Sequence, residues 1–93
     1  MNKSMQNEDQ LFTQLISIFY SSAMVALGKI KNPATDKIER DLAQAGQAID
    51  MLELIKSKTN GNLSSQQNRM LEAALTDLRL NFVDEKQKDS IPS

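Results

Sequence analysis

Ninety-three residues carry 11 basic and 12 acidic side chains, a net charge of −1, and neither Cys nor His. That composition excludes a disulfide framework, a thiolate nucleophile, zinc sites of the usual ligand types and histidine acid–base chemistry. The charge balance also gives no reason to approach nucleic acid, where clustered Lys and Arg must displace phosphate counterions.

The length corresponds to one domain near the lower end of what buries a self-sufficient core. Hydrophobic content is 40%, carried mostly by Leu, Ile, Ala and Met, with Phe12, Phe19, Tyr20 and Phe82 as the aromatic side chains. β-branched residues never alternate over a strand-length run, so the expected class is all-α. Three main helices are expected. Residues 1–7 are polar and without periodicity and read as a disordered leader, residues 8–83 as a single helical domain, and residues 84–93 as a charged, disordered tail.

Helix 1 is expected from Glu8 or Asp9, acids that suit the positive end of a helix, to Leu27, with Gly28 as the stop. At about 100° per residue, its apolar side chains from Leu11 to Leu27 cover an arc of roughly 200°. A helix packing on one hairpin needs only about half of that. The stretch Leu11–Gly28 carries no charge. It nevertheless lacks the basic leader of a signal peptide. Thr13, Gln14, Ser17, Ser21 and Ser22 interrupt it as a membrane span. Lys29 to Thr35 forms the connection. Either Asn32 caps a helix with Pro33 in its first position, or Thr35 caps a helix beginning at Asp36.

Helix 2 is expected to run from there to about Lys58. Ile38, Leu42, Ala45, Ile49 and Leu52 form a 4-3-4-3 stripe, widened by Ala48 and Ile55. Asp36–Arg40 and Lys37–Asp41 are i,i+4 pairs on the exposed side, while Met51 and Leu54 lie off the stripe. Gly46 costs about 1 kcal/mol relative to Ala inside a helix; a close helix–helix approach and chance drift both account for it. The turn Lys58-Thr59-Asn60-Gly61-Asn62-Leu63 has a mechanism. Gly61 takes a left-handed conformation that ends helix 2, with Lys56 and Lys58 in its last turn. Ser64-x-x-Gln67 is a capping box that starts helix 3, and Leu63 folds back on the apolar stripe. So short a link makes helices 2 and 3 an antiparallel hairpin. Helix 3 is expected over about Ser65 to Val83, striped by Leu71, Leu75, Leu78 and Phe82, with Met70, Ala73 and Leu80 as a weaker second line.

Several of these residues carry a resemblance. Leu27-Gly28, Pro33, Leu42-x-x-Ala45, Ile49-Asp50-x-Leu52, Lys58-Thr59-x-Gly61-Asn62-Leu63-Ser64 and Leu78-Arg79-x-x-Phe82-Val83 resemble a family of short bacterial proteins, domain of unknown function 1844. The resemblance runs from about Phe12 to Val83. Its most specific piece is Ile-Asp-x-Leu followed by Lys-Thr-x-Gly-Asn-Leu. Gly46 departs from the family pattern, in which a polar helix former usually follows the Ala. The resemblance implies an all-helical, bacterial, cytoplasmic protein and supplies no activity.

Each candidate site has a plain structural counterpart. Lys58, Thr59, Asn62 and Ser64 surround a helix start whose free N–H groups could hold a phosphate or carboxylate, although capping alone accounts for these residue types. Asp50 lies about 150° from the helix 2 stripe; it is a solvated charge, a partner for Arg79, or part of a helix–helix contact. An enzyme would have to use carboxylates such as Asp50, Glu53, Glu72 and Asp77, with Tyr20, and their spacing describes any solvated helix face. No catalytic residue, cofactor or metal is assigned. The wide apolar arc of helix 1 points instead to a homo-oligomer, most simply a dimer, through Phe12, Ile16, Phe19, Ala23 and Leu27. The expected function is a small non-enzymatic interaction or scaffold protein of the cytoplasm, with an unidentified protein partner as a further possibility. The alternative is a membrane-associated accessory protein using helix 1, disfavoured because its polar face has no Lys or Arg to meet anionic lipid.

Overall fold

The computed structural model describes residues 2–90, and the side chains of residues 7–89. Three helices account for most of the chain: α1 (Asn2–Ala26), α2 (Leu42–Lys58) and α3 (Ser65–Ser90). The all-α class and the hairpin of α2 and α3 are as expected. Each helix packs against the other two. The Asp9 side chain lies beside Gln67, Tyr20 beside Asp77, and Lys29 beside Asp84. α1 and α3 therefore run parallel, with α2 antiparallel to both.

Both outer helices are longer than their apolar stripes. α1 begins at Asn2 rather than near Glu8, because Lys3, Met5 and Gln6 are good helix formers and extending an existing helix costs little. Residues 84–90, expected as a polar tail, continue α3 instead. Lys88 reaches Glu85 and Asp84 one turn back, and Glu85 is held by residues from outside the helix. The remainder of both expected end segments, Met1 and residues 91–93, lies outside the described residues.

α1 stops at glycine as the sequence indicates. Gly28 sits at φ +80°, the Gly28 N–H donates to the Val25 carbonyl, and the Lys29 N–H donates to the Met24 carbonyl. This is the Schellman pattern, which needs a left-handed residue just past the cap. The start of α2 differs from both expected alternatives. Asn32 forms a side-chain turn by accepting from the Ala34 N–H, its backbone bridges to Lys37, and Asp36 takes φ 59°. A tight loop thus occupies 32–37, and the helix waits for Asp41, whose carboxylate accepts from the Gln44 N–H. The Asp41 N–H donates to the Ala26 carbonyl at 2.7 Å, tying the start of α2 to the end of α1. The local hydrogen-bonding capacity of Asn and Asp outcompetes helix propensity here. Consequently Ile38 leaves the stripe and is 53% exposed, and the two i,i+4 pairs placed at 36–41 do not form on a helix.

The core comprises Ile16, Ala23, Ala26 and Leu27 from α1, Ala45, Ala48, Ile49 and Leu52 from α2, and Leu71, Leu75 and Leu78 from α3. Phe12, Phe19, Tyr20, Leu42, Ile55, Leu63 and Phe82 pack around it. Gly46 faces the Phe82 ring: a Cβ there would lie 3.6 Å from Phe82 Cε1, ordinary van der Waals contact. Gly46→Ala is therefore expected to raise the unfolding free energy by up to about 1 kcal/mol, the helix propensity difference. The urea midpoint measures it; a fall would mean that the ring must move to admit a methyl group.

Candidate functional site

Three groups of side chains stand out beyond the core. The first is a clasp at the end where α1 stops and α3 finishes. Glu85 is buried, 6% exposed. Its carboxylate meets Lys29 Nζ at 2.7 Å, Lys88 Nζ at 2.8 Å and Arg40 Nε at 3.0 Å. Arg40 also donates to the Glu85 carbonyl oxygen at 2.8 Å and pairs with Asp89 at 2.8 Å. The Lys29 ammonium, then that of Lys88, holds the Glu85 carboxyl down at about 2. Glu85 in turn raises the Lys29 pKa, with Asp84 assisting. Lys29 and Arg40 both belong to the α1–α2 connection, so the clasp fastens that connection to α3. The clasp thus holds three cations, Lys29, Arg40 and Lys88, and three carboxylates, Asp84, Glu85 and Asp89, each in at least one ion pair.

The second group lies at the hairpin turn. Thr59 ends α2 by donating its hydroxyl to the Ile55 carbonyl at 2.6 Å. The Asn62 N–H donates to the Thr59 carbonyl, closing a turn whose third residue, Gly61, takes φ +87°. Gly61 is thus left-handed as expected, but within this turn rather than at the helix end. The Ser64–Gln67 capping box forms: the Gln67 N–H donates to Ser64 Oγ at 3.1 Å, and the Ser64 N–H donates to Gln67 Oε1 at 2.9 Å. Of the candidate anion-site residues Lys58, Thr59, Asn62 and Ser64, three thus spend donors on capping or on the turn. A concavity of about 680 Å³ does open beside the turn, but only Thr59 of the four lines it. Its walls carry Lys56 paired with Glu72 at 2.9 Å, and Arg79 paired with Glu53. The proposed Asp50–Arg79 pair is thereby corrected. Glu53, one helical turn beyond Asp50, faces α3 and takes the guanidinium, while Asp50 is exposed.

The third group is on α1. The five residues expected at an interface, Phe12, Ile16, Phe19, Ala23 and Leu27, face inward. Ile16, Ala23 and Leu27 are at most 2% exposed, and the two Phe rings pack on the core. That assignment is corrected: α2 and α3 together bury a wider arc than one hairpin stripe suggested. Tyr20 is part of this inner side and donates its hydroxyl to Asp77, which raises the Tyr20 pKa. Left outside are Leu11 (64%), Leu15 (38%) and Ile18 (64%). With Ser22 and Val25 they form a line of 4-3-4-3 spacing, roughly 140° round the helix from Ile16, Ala23 and Leu27. Sequence periodicity counted these residues as apolar but could not say which part of the arc the bundle would leave uncovered. Met51 (41%) and Leu54 (56%) of α2 are exposed as well. Beyond Ile18 the line runs into a groove of about 600 Å³ between the end of α1, the connection and the start of α2; Ser22, Val25, Asn32 and Pro33 are among its lining residues.

Among the described residues, no group of Asp or Glu side chains is arranged to hold a metal ion, and no helix is long and apolar enough to cross a membrane. The sequence profile of the family described as domain of unknown function (DUF1844) matches residues 9–85. The chain belongs to the DUF1844 family. No curated protein and no solved structure matches it. The DUF1844 match opens at Asp9, whose carboxylate accepts from the Gln67 side chain, and closes at Glu85, the centre of the clasp. Its two ends therefore coincide with contacts that fix α1 and the α1–α2 connection against the two ends of α3. Within the DUF1844 segment, the turn motif from Lys58 to Ser64 is accounted for by capping.

Proposed function

We propose that this DUF1844 protein is a non-enzymatic helical interaction module of the cytoplasm that pairs with a second copy of itself through the outer face of α1. The observation that carries this reading is the exposed line Leu11–Leu15–Ile18, spaced as one seam of a coiled coil. Burying a Leu or Ile side chain contributes about 1.5–3 kcal/mol, so two of them left more than half exposed on one helix favour association. The accessible surface of 6660 Å² exceeds the roughly 5,400 Å² of a compact monomer of this mass. A stable interface takes about 800 Å² from each partner. The bundle's elongation, 58 × 27 × 16 Å, contributes to that excess.

Light scattering behind a sizing column, without detergent, tests the reading. The wild-type chain is expected as a dimer. Leu11→Ser together with Ile18→Ser is expected to give a monomer of unchanged helical content, because both positions are exposed. A wild-type monomer at high concentration overturns the proposal, and partition of that monomer into lipid vesicles would assign the same face to a membrane surface. Phe12 and Phe19 are unsuitable for this test, since removing either would damage the core.

A further inference from the structure

We infer that the second copy lies antiparallel along α1, with Ile18 of the two copies meeting near the twofold axis and Leu11 of each entering the groove beside Val25 of the other. This orientation rests on the self-association reading above and deepens it. Three observations favour it over the parallel arrangement.

The first is charge. Glu8 continues the seam register three residues before Leu11 and is exposed; at the opposite end of the face, Lys31 is exposed next to Asn32 and Pro33, which line the groove. Among the described residues neither Glu8 nor Lys31 takes part in an ion pair, whereas the neighbouring Lys29 is committed to Asp84 and Glu85. A parallel dimer stacks Glu8 on Glu8 and Lys31 on Lys31. An antiparallel one brings each Glu8 to the other copy's Lys31, and also opposes the helix dipoles.

The second is volume. The seam alternates badly with itself in a parallel dimer, because Ser22 faces Ser22 and leaves a hollow layer. Antiparallel pairing about Ile18 sets Leu15 against Ser22 and Leu11 against Val25, a large residue with a smaller one in each layer. The third is the groove itself. It lies at one end of the seam, beside Ser22 and Val25. Glu39, Arg40, Asp41 and Gln44 line its far wall, and Val25, Ala26 and Pro33 supply the apolar part, to which only the antiparallel copy delivers a large exposed apolar side chain, Leu11.

The absence of native Cys makes a direct test clean. Ile18→Cys, Leu11→Cys and Val25→Cys are made singly and oxidised in a glutathione buffer, alone and as an equal mixture of the last two. Disulfides require Cα atoms within about 7 Å. Ile18→Cys is expected to give a covalent dimer. The Leu11→Cys and Val25→Cys mixture is expected to cross-link at least tenfold faster than either variant alone. Leu11→Cys cross-linking to itself as fast as in the mixture overturns the antiparallel orientation while leaving self-association standing. No covalent dimer from any variant, with a wild-type monomer by light scattering, overturns both. A charge exchange gives an independent readout. Glu8→Lys is expected to weaken the dimer about tenfold, and Lys31→Glu in the same chain to restore it; failure of the second change to restore it counts against the proposed pairing.

Discussion

Leu27→Ala is expected to lower the unfolding free energy by about 2–5 kcal/mol, the range for truncating a fully buried Leu. Leu27 is 0% exposed and closes the core where α1 ends. It also sits at the cap of the Schellman turn, immediately before Gly28, so little relaxation is available to collapse the cavity. A domain of this size has only about 5–14 kcal/mol of stability in total, and the loss should be plain in a urea titration. Leu11→Ala is the control. At 64% exposure, its effect on the stability of a single copy should stay within about 0.5 kcal/mol. The contrast separates two roles that helical periodicity alone cannot separate, because both residues are Leu on the same apolar arc. Equal losses at the two positions, measured at a protein concentration where the chain is monomeric, would mean that Leu11 is covered within one copy, and the seam would lose its basis.

The second large effect concerns acid. Glu85 is held well below an ordinary carboxylate, at about 2 against 4.5, by the Lys29 ammonium first and Lys88 next. A group whose folded pKa is depressed contributes stability that is fully present above its unfolded value and is lost as pH falls through the folded value. The contribution of Glu85 should therefore be complete at pH 7, begin to fall near pH 5 and be gone by about pH 2. Lys29 has the opposite sign. Its pKa is raised by Glu85 and Asp84, so its share persists at neutral pH and fades only in the strongly alkaline range. Other carboxylates titrate in the same acid window, so the comparison must be with Glu85→Gln. The variant is expected to show a lower urea midpoint at pH 7 and a flatter decline from pH 5 to pH 2. Parallel curves for the two proteins would remove Glu85 as the group responsible. Salt supplies a second reading: the exposed Lys56–Glu72 pair should be screened more than the buried end of the clasp.

The sequence by itself determined those parts of the protein that depend on nearest neighbours. The capping box at Ser64 and Gln67, the left-handed glycines at 28 and 61, and the stripes on α2 and α3 arise from interactions within a few residues. Such interactions leave local patterns of 3.6 periodicity and cap chemistry. The start of α2 carries a local signal too: Asp41-x-x-Gln44 has the same form as Ser64-x-x-Gln67, and Asp41 caps the helix. The stretch before it looks helical in sequence because the Asx turn at Asn32 and the left-handed Asp36 leave weaker signals than a run of helix-compatible residues.

Tertiary structure alone decided the rest. Arg79 had two carboxylates within reach along α2, and only the rotation of α2 against α3 gives it to Glu53 instead of Asp50. The polar stretch 84–90 has no apolar stripe of its own. It is helical because Lys29 and Arg40 arrive from more than forty residues away to hold Glu85. The division of α1 into a buried side and an open side is of the same kind. An apolar arc of roughly 200° states how much of a helix avoids water, whereas the placement of two neighbouring helices states which part is covered. That placement put Phe12, Ile16, Phe19, Ala23 and Leu27 inside and left Leu11, Leu15 and Ile18 as the surface.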